Sequence, residues 1–360
     1  MTHLFDPLKL RDVLLKNRIG IPPMCQYSAQ EGIASEWHFV HYGSRAVGGA
    51  ALMILEATAV APEGRISAAD LGIWDEKHVA PLAHIVRFAR EQGCVAALQL
   101  AHAGRKASSA LGWQPQRGLS ESEGGWSVVA PSSVPFGDDY AKPQELDRAG
   151  IVKLIGQFAA AARRALSCGF QAIEIHAAHG YLLHQFLSPL SNLRDDAYGG
   201  SFENRTRLVR EVVTAVRSEW PERLPLLVRL SATDWVEGGW TADETVRLCG
   251  NLKNLGVDLV DVSSAGILPN VPIPAGPGFQ TEFAARVRRE AAIATAAVGL
   301  ITSAEQADHI VRTGQADMVF LGREILRNPY WPLAAAQTLG QVASWPQQYL
   351  RAAPPGSSRR

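Results

Sequence analysis

His176 and His179 are separated by two residues, and Tyr181 follows two positions later. Two imidazoles supply paired hydrogen-bond donors, and a phenol supplies a proton. The spacing therefore suggests a carbonyl oxygen held by the histidines and a proton delivered next door from Tyr181. The run Ile173-Glu174-Ile175 precedes them, and a polar, irregular stretch from Ser188 to Glu203 follows. That pattern is a short buried strand with titratable groups at its end, which is where α/β barrels carry out chemistry. Two other readings of the pair stand beside this one. The histidines are satisfied groups at a strand end, or they are part of a metal site in a barrel hydrolase. His38, His41, His102 and His184 would be available to a metal, but carboxylate ligands are missing at the strand ends where such enzymes place them.

The elements that must position these residues follow a repeated order. An amphipathic stretch ends in glycine, and an apolar strand begins shortly after. Gly49, Gly93, Gly169, Gly256 and Gly314 each precede such a strand. Glycine suits the left-handed position that closes a helix. Near-continuous apolar strands belong to a parallel sheet buried on both faces. With strands at 19–21, 226–230 and 294–298, which lack the glycine signal, the count is eight. The expected fold is a (β/α)8 TIM barrel with an N-terminal hairpin, Leu8–Leu10 and Val13–Leu15, plugging its bottom. A doubly wound sheet would need a glycine-rich fingerprint after its first strand, and Ile19-Gly20-Ile21-Pro22-Pro23-Met24 is not one. Residues 101–144 form a long Gly-, Ser-, Pro- and Trp-containing insertion after the third strand, expected as a lid in which Trp113 and Trp126 shape an apolar pocket or stand as ordinary exposed or core residues. One domain is expected over residues 1–351, with a flexible tail over 352–360.

Gly299 follows the seventh strand, and Gly322 with Arg323 follows the eighth. Barrels often bind phosphate in these two loops, with backbone N–H groups and a charged fork. A phosphorylated substrate or a cofactor such as flavin mononucleotide would fit. Gln99, on the third strand, can serve a pyrimidine edge as donor and acceptor. Arg229 is a cation in a buried strand and needs an anion, either N1 of a reduced flavin or a carboxylate such as Glu174.

Lys and Arg number 35, as do Asp and Glu, so the net charge is zero and neither a nucleic-acid nor a membrane-surface partner is indicated. The four cysteines, at 25, 94, 168 and 249, make neither a zinc pattern nor a disulfide framework. A reducing, cytoplasmic compartment is expected, and no metal.

The chain resembles the Old Yellow Enzyme family of flavin-dependent ene-reductases, in its bacterial thermophilic-like or xenobiotic-reductase branch. The resemblance runs from about Leu4 to Arg351. It rests on Pro22-Pro23-Met24-Cys25-Gln26-Tyr27, Glu56-Ala57-Thr58, Gln99-Leu100-Ala101-His102-Ala103-Gly104-Arg105-Lys106, His176-Ala177-Ala178-His179-Gly180-Tyr181 and Gly322-Arg323, in that order. It implies non-covalent FMN surrounded by Pro22, Pro23, Met24, Cys25, Ala57, Gln99, Arg229, Gly299, Gly322 and Arg323, with Cys25 tuning its potential. It also implies NADPH, or less readily NADH, as reductant. His176 and His179 would hold the activating oxygen of an α,β-unsaturated carbonyl, imide or nitro compound, and Tyr27 would add a hydrogen bond. Hydride would go from flavin to Cβ and the proton from Tyr181 to Cα. Val298 stands where some relatives carry a bulky Trp. The resemblance further implies a homodimer or homotetramer in which Arg351 reaches the neighbouring active site. A flavin-binding barrel without catalysis would be expected to have lost these groups, and all are present.

Overall fold

The computed structural model describes residues 2–357. Strands β1 (Leu8–Leu10) and β2 (Val13–Leu15) pair antiparallel. The barrel strands are β3 (Ile19–Ile21), β4 (Leu52–Ala59) and β5 (Val95–Ala101), and then, after two short strands of the insertion, β6 (Val129–Ala130) and β7 (Gln144–Glu145), come β8 (Ala172–Ala177), β9 (Leu226–Ser231), β10 (Leu259–Ser263), β11 (Ala294–Ala297) and β12 (Met318–Phe320). The eight barrel strands close in chain order and every pairing is parallel. The expected (β/α)8 barrel is the observed one.

Local chemistry explains the elements. All five glycines that precede strands in the sequence pattern have positive φ, between 65° and 97°. The helix Arg207–Glu219 buries Leu208, Val209, Val212, Val213 and Val216 along one stripe, packed against the long helix Arg148–Ser167. The helix Ala242–Asn254 starts at a capping box, in which Thr241 and Glu244 each accept from the other's backbone N–H.

Two apolar regions hold the barrel together. One lies between sheet and helices. The other joins Leu10, Val13 and Leu15 of the hairpin to the inward-facing Leu52, Ile54, Leu227, Leu259 and Phe320. Each such fully buried side chain contributes on the order of 1.5–3 kcal/mol. The hairpin therefore is a plug, and Arg11 at its turn clamps it with Nε 2.7 Å from Asp258 Oδ1 and Nη1 2.6 Å from Glu222 Oε2.

The insertion is tied down at several points. Trp126 Nε1 donates to Glu63 O at 2.9 Å, and the Arg65 guanidinium lies over its ring. Buried Arg105 donates to the carbonyls of Val134, Pro135 and Ile267. Trp113 is 67% exposed, and its ring and that of Tyr27 are near perpendicular. Of the expected tail, Ala352 closes the short turn Gln347–Ala352, and Ser357 accepts from Ala343 N–H at 3.0 Å. Residues 358–360 lie outside the described residues. Among the described residues no helix is long and apolar enough to cross a membrane.

Candidate active site

Parallel register brings the site together. Each of the candidate residues Ala57, Gln99, His176 and Arg229 lies toward the C-terminal end of its strand, and Pro22 to Tyr27, Gly299 and Gly322-Arg323 lie in the loops after β3, β11 and β12. His176 is the register partner of Arg229, and Arg229 is the partner of Asp261. Gln99 is the partner of Glu174. One rim therefore carries a row His176–Arg229–Asp261 beside a pair Gln99–Glu174.

The row sets a carboxylate beside Arg229, and it is Asp261. Arg229 pairs with Asp261, Nε to Oδ2 2.8 Å, and not with Glu174. The pair is close but poorly angled, because Arg229 Nε and both Asp261 oxygens lack a hydrogen-bond partner. Glu174 Oε1 instead accepts from Gln99 Nε2 at 2.8 Å. Burial raises the Asp261 carboxyl to about 6 against the pull of Arg229. Glu174 is raised as well, by burial and then by Asp261. Asp261 has a sequence signal of its own, as a lone acid inside the apolar strand Leu-Val-Asp-Val-Ser.

The His pair sits on a rigid turn. His179 and Gly180 both have positive φ, 57° and 72°. A Cβ on Gly180 would lie 1.9 Å from Gly266 O, and one on Gly266 would lie 2.5 Å from the His179 backbone. The two loops touch through bare backbone, which only glycine permits. His179 N–H donates to Ser231 Oγ at 2.9 Å, and His179 Nε2 is 2.7 Å from Ser263 Oγ. Gly180 N–H donates to His184 Nδ1 at 2.8 Å, and His184 Nε2 lies 3.0 Å from Asp234 Oδ1. The rings of His176 and His179 are 5.3 Å apart and near perpendicular, and Tyr181 is 4.9 Å from His176. Burial, then the charge of Arg229, holds both imidazoles well below their ordinary range, so they are neutral at pH 7. Burial, then Cys25, pushes the Tyr181 phenol well above its ordinary value.

Lys106 is a member of this site that residue patterning did not single out. Its ammonium donates to His179 O at 2.9 Å and Gly266 O at 3.3 Å, and lies 5.0 Å from the Tyr181 ring centroid. Burial, then Arg105, brings it down to about 8.

On the facing side, the loop after β3 is fixed by Glu56. The β4–β5 ladder slips between Leu55 and Ala57, a bulge that sends Glu56 outward and Ala57 to the site. Gln26 N–H donates to Glu56 Oε2 at 2.9 Å, and Tyr42 OH donates to Oε1 at 2.9 Å. His38 lies 3.4 Å from the same carboxyl. Burial raises Glu56 to about 8 and lowers His38 to about 4, so this contact joins two neutral groups at pH 7. Half-buried Cys25 and Tyr181 both pack against a small apolar cluster of Ala57, Ile66, Ala101, Ala103, Ala107 and Val128. Burial, then Asp70, keeps the Cys25 thiol protonated. Tyr27 has positive φ (49°), and its ring occupies the space a side chain on Gly112 would need.

The loops after β11 and β12 enclose a cavity of about 310 Å³ lined by Gly299, Gly322, Arg323 and Gln280. Gly299 and Leu300 both have positive φ. The residues fit FMN. A glycine-walled cradle with an exposed arginine suits its phosphate, and the polar atoms left without partners on Arg229, Glu174 and Asp261 suit a polar ring edge. Among the described residues no three His, Cys, Asp or Glu side chains gather to hold a metal ion. Arg351 is the one candidate outside the cluster, exposed on the turn Gln347–Ala352.

Such a barrel, with a phosphate cradle beside a His–His–Tyr rim, defines a flavin oxidoreductase. The model of the NADH:flavin oxidoreductase / NADH oxidase family matches residues 3–341. An NADPH dehydrogenase of Geobacillus sp. (strain WCH70) is 49% identical over 352 residues, 97% of this chain and 98% of its own. One from Listeria innocua is 47% identical, covering 98% and 99%. Morphinone reductase superposes with a TM-score of 0.79 at 28% identity, over 96% of this chain and 91% of that one. The Old Yellow Enzyme homologue of Zymomonas mobilis shares the fold, with a TM-score of 0.79 at 24% identity over 98% and 99%. The chain belongs to the NADH:flavin oxidoreductase / NADH oxidase family, the Old Yellow Enzyme family of its sequence resemblance. It is an oxidoreductase with FMN as cofactor and a nicotinamide as reductant.

Proposed function

We propose that the chain is an ene-reductase of the thermophilic-like branch, using NADPH in preference to NADH to reduce the C=C bond of α,β-unsaturated carbonyls, imides or nitro compounds. The observation that carries this reading is the neutral His176–His179 pair with a protonated Tyr181 phenol against its flank. Bound FMN would supply the two-electron transfer between nicotinamide and substrate. Pro22, Pro23, Met24, Cys25, Ala57, Gln99 and Arg229 would line its ring, and Gly299, Gly322 and Arg323 its phosphate. His176 and His179 hold the activating oxygen, and Tyr27 adds a hydrogen bond. Negative charge grows on that oxygen as Cβ is reduced, so the donors bind the transition state more strongly than the ground state. Neutral imidazoles suit the task, because they donate without titrating near pH 7. Tyr181 gives its Oη proton to Cα, and burial ensures that the proton is present to give.

Arg351 is assigned to the neighbouring subunit's site. Its exposure, with Tyr349 and Leu350 beside it as exposed apolar groups, supports a homodimer or a homotetramer. Four free cysteines agree with a reducing cytoplasm. Steady-state assays of cyclohexenone, maleimide and a nitroalkene with each nicotinamide test the reading. Turnover of none of the three would refute it. A truncation ending at Tyr349 with unaltered kinetics would remove Arg351 from the shared site.

A further inference from the structure

A neutral imidazole has one N–H, and which nitrogen carries it is set by the partner of the other. His176 Nδ1 accepts from Ala178 N–H at 3.2 Å, so its proton is on Nε2. His179 is engaged through the opposite nitrogen, with Nε2 2.7 Å from Ser263 Oγ. That hydroxyl has one proton to give and two acceptors in reach, His179 Nε2 at 2.7 Å and Gln280 Oε1 at 3.4 Å. Gln280 Nε2 donates to Val298 O at 3.1 Å, which fixes its amide, and its Oε1 is already served by Ser264 Oγ at 2.6 Å. The contact to His179, 2.7 Å against 3.4 Å to Gln280, directs the Ser263 proton to His179.

We propose that Ser263 is a positioning residue that holds His179 as the Nδ1–H tautomer, so that the two imidazoles present two donors to one oxygen. The proposal rests on the reading of the His pair as holder of the substrate oxygen. The other nitrogens, His176 Nε2 and His179 Nδ1, have no hydrogen-bond partner among the described residues, and neither is fully sealed from solvent. In the other tautomer His179 would aim a lone pair at an oxygen gaining negative charge. One of two donors would become a repulsive contact.

The test is long-range proton–nitrogen NMR of the 15N-labelled, FMN-loaded enzyme, with His179 assigned through its Gln variant. The expected spectrum shows a protonated Nδ1 and an unprotonated Nε2 on His179, with the reverse on His176. Ser263→Ala should move the His179 proton partly or wholly to Nε2 and slow flavin reoxidation by cyclohexenone at least about 10-fold. Ser263→Thr, which keeps the hydroxyl, should restore both. A wild-type His179 protonated on Nε2 overturns the proposal, as does a tautomer unmoved in Ser263→Ala. If Ser263→Ala does not fold, the wild-type spectrum alone decides. An Nδ1–H His179 in an enzyme that reduces no enone would sink the functional reading and leave the tautomer assignment standing.

Discussion

Arg229 and Asp261 lie side by side in barrel register, with Nε 2.8 Å from Oδ2. Removing one partner of a buried pair leaves the other uncompensated, at a cost of about 3–5 kcal/mol when it stays charged. Asp261 has an escape, because its carboxyl is already raised to about 6. Without the cation, which lowers it, the value goes higher still. At pH 5 Asp261 is mostly protonated and needs no counter-charge, whereas at pH 8 its ionisation or forced protonation counts in full. Arg229→Ala should therefore lower the urea midpoint more at pH 8 than at pH 5. It should also weaken FMN retention, measured by ultrafiltration. Equal losses at the two pH values would mean that Asp261 is not the coupled group.

Replacing His176 and His179 together by Ala should leave FMN bound and remove most enone reduction, each lost donor costing on the order of 100-fold. Wild-type activity should show no histidine titration between pH 6 and 8, because both imidazoles are held well below the usual range. The stability sign follows. Folded pKa values are depressed, so as pH falls below about 6.5 the unfolded chain takes protons that the folded one refuses, and stability declines. A pH–rate profile and urea unfolding at pH 5, 6 and 7 check both statements.

Lys106 supplies the alkaline limb. Its ammonium braces His179 O and Gly266 O, and burial brings it down to about 8. Above pH 8 it loses its proton, the brace weakens, and the rate should fall while Tyr181 is still protonated. Lys106→Met should lower kcat about 10-fold, on the scale of a lost charge-assisted hydrogen bond or two, and flatten the profile between pH 7 and 9. An unchanged limb in the variant would assign it elsewhere.

Cys25 presents a neutral thiol against the small apolar cluster that contains Ala57 and that Tyr181 also packs on. Cys25→Ser replaces a soft, polarizable atom with a harder hydrogen-bonding one. The flavin midpoint potential should shift, and the reductive and oxidative half-reactions should change in opposite directions under stopped flow. Constant potential with constant rates would make Cys25 a packing residue.

Local pattern determined the repeating frame and the centre of the site. Five glycines before apolar strands reported backbone positions that few other residues adopt, and all five have positive φ. His176, His179 and Tyr181 share one strand end, so spacing alone brought them together. Partners drawn from other strands were out of reach. Periodicity tells which face of a strand is buried, but not which neighbour's side chain meets it across a closed barrel. Arg229 thus met Asp261, 32 positions on, and Gln99 took Glu174 instead. Ser263 and Lys106 reached His179 from the sixth barrel strand and the loop after the third, distances that only barrel closure removes. The proton affinities belong to the tertiary structure for the same reason. Desolvation by the assembled core set them, and no single segment carries that field.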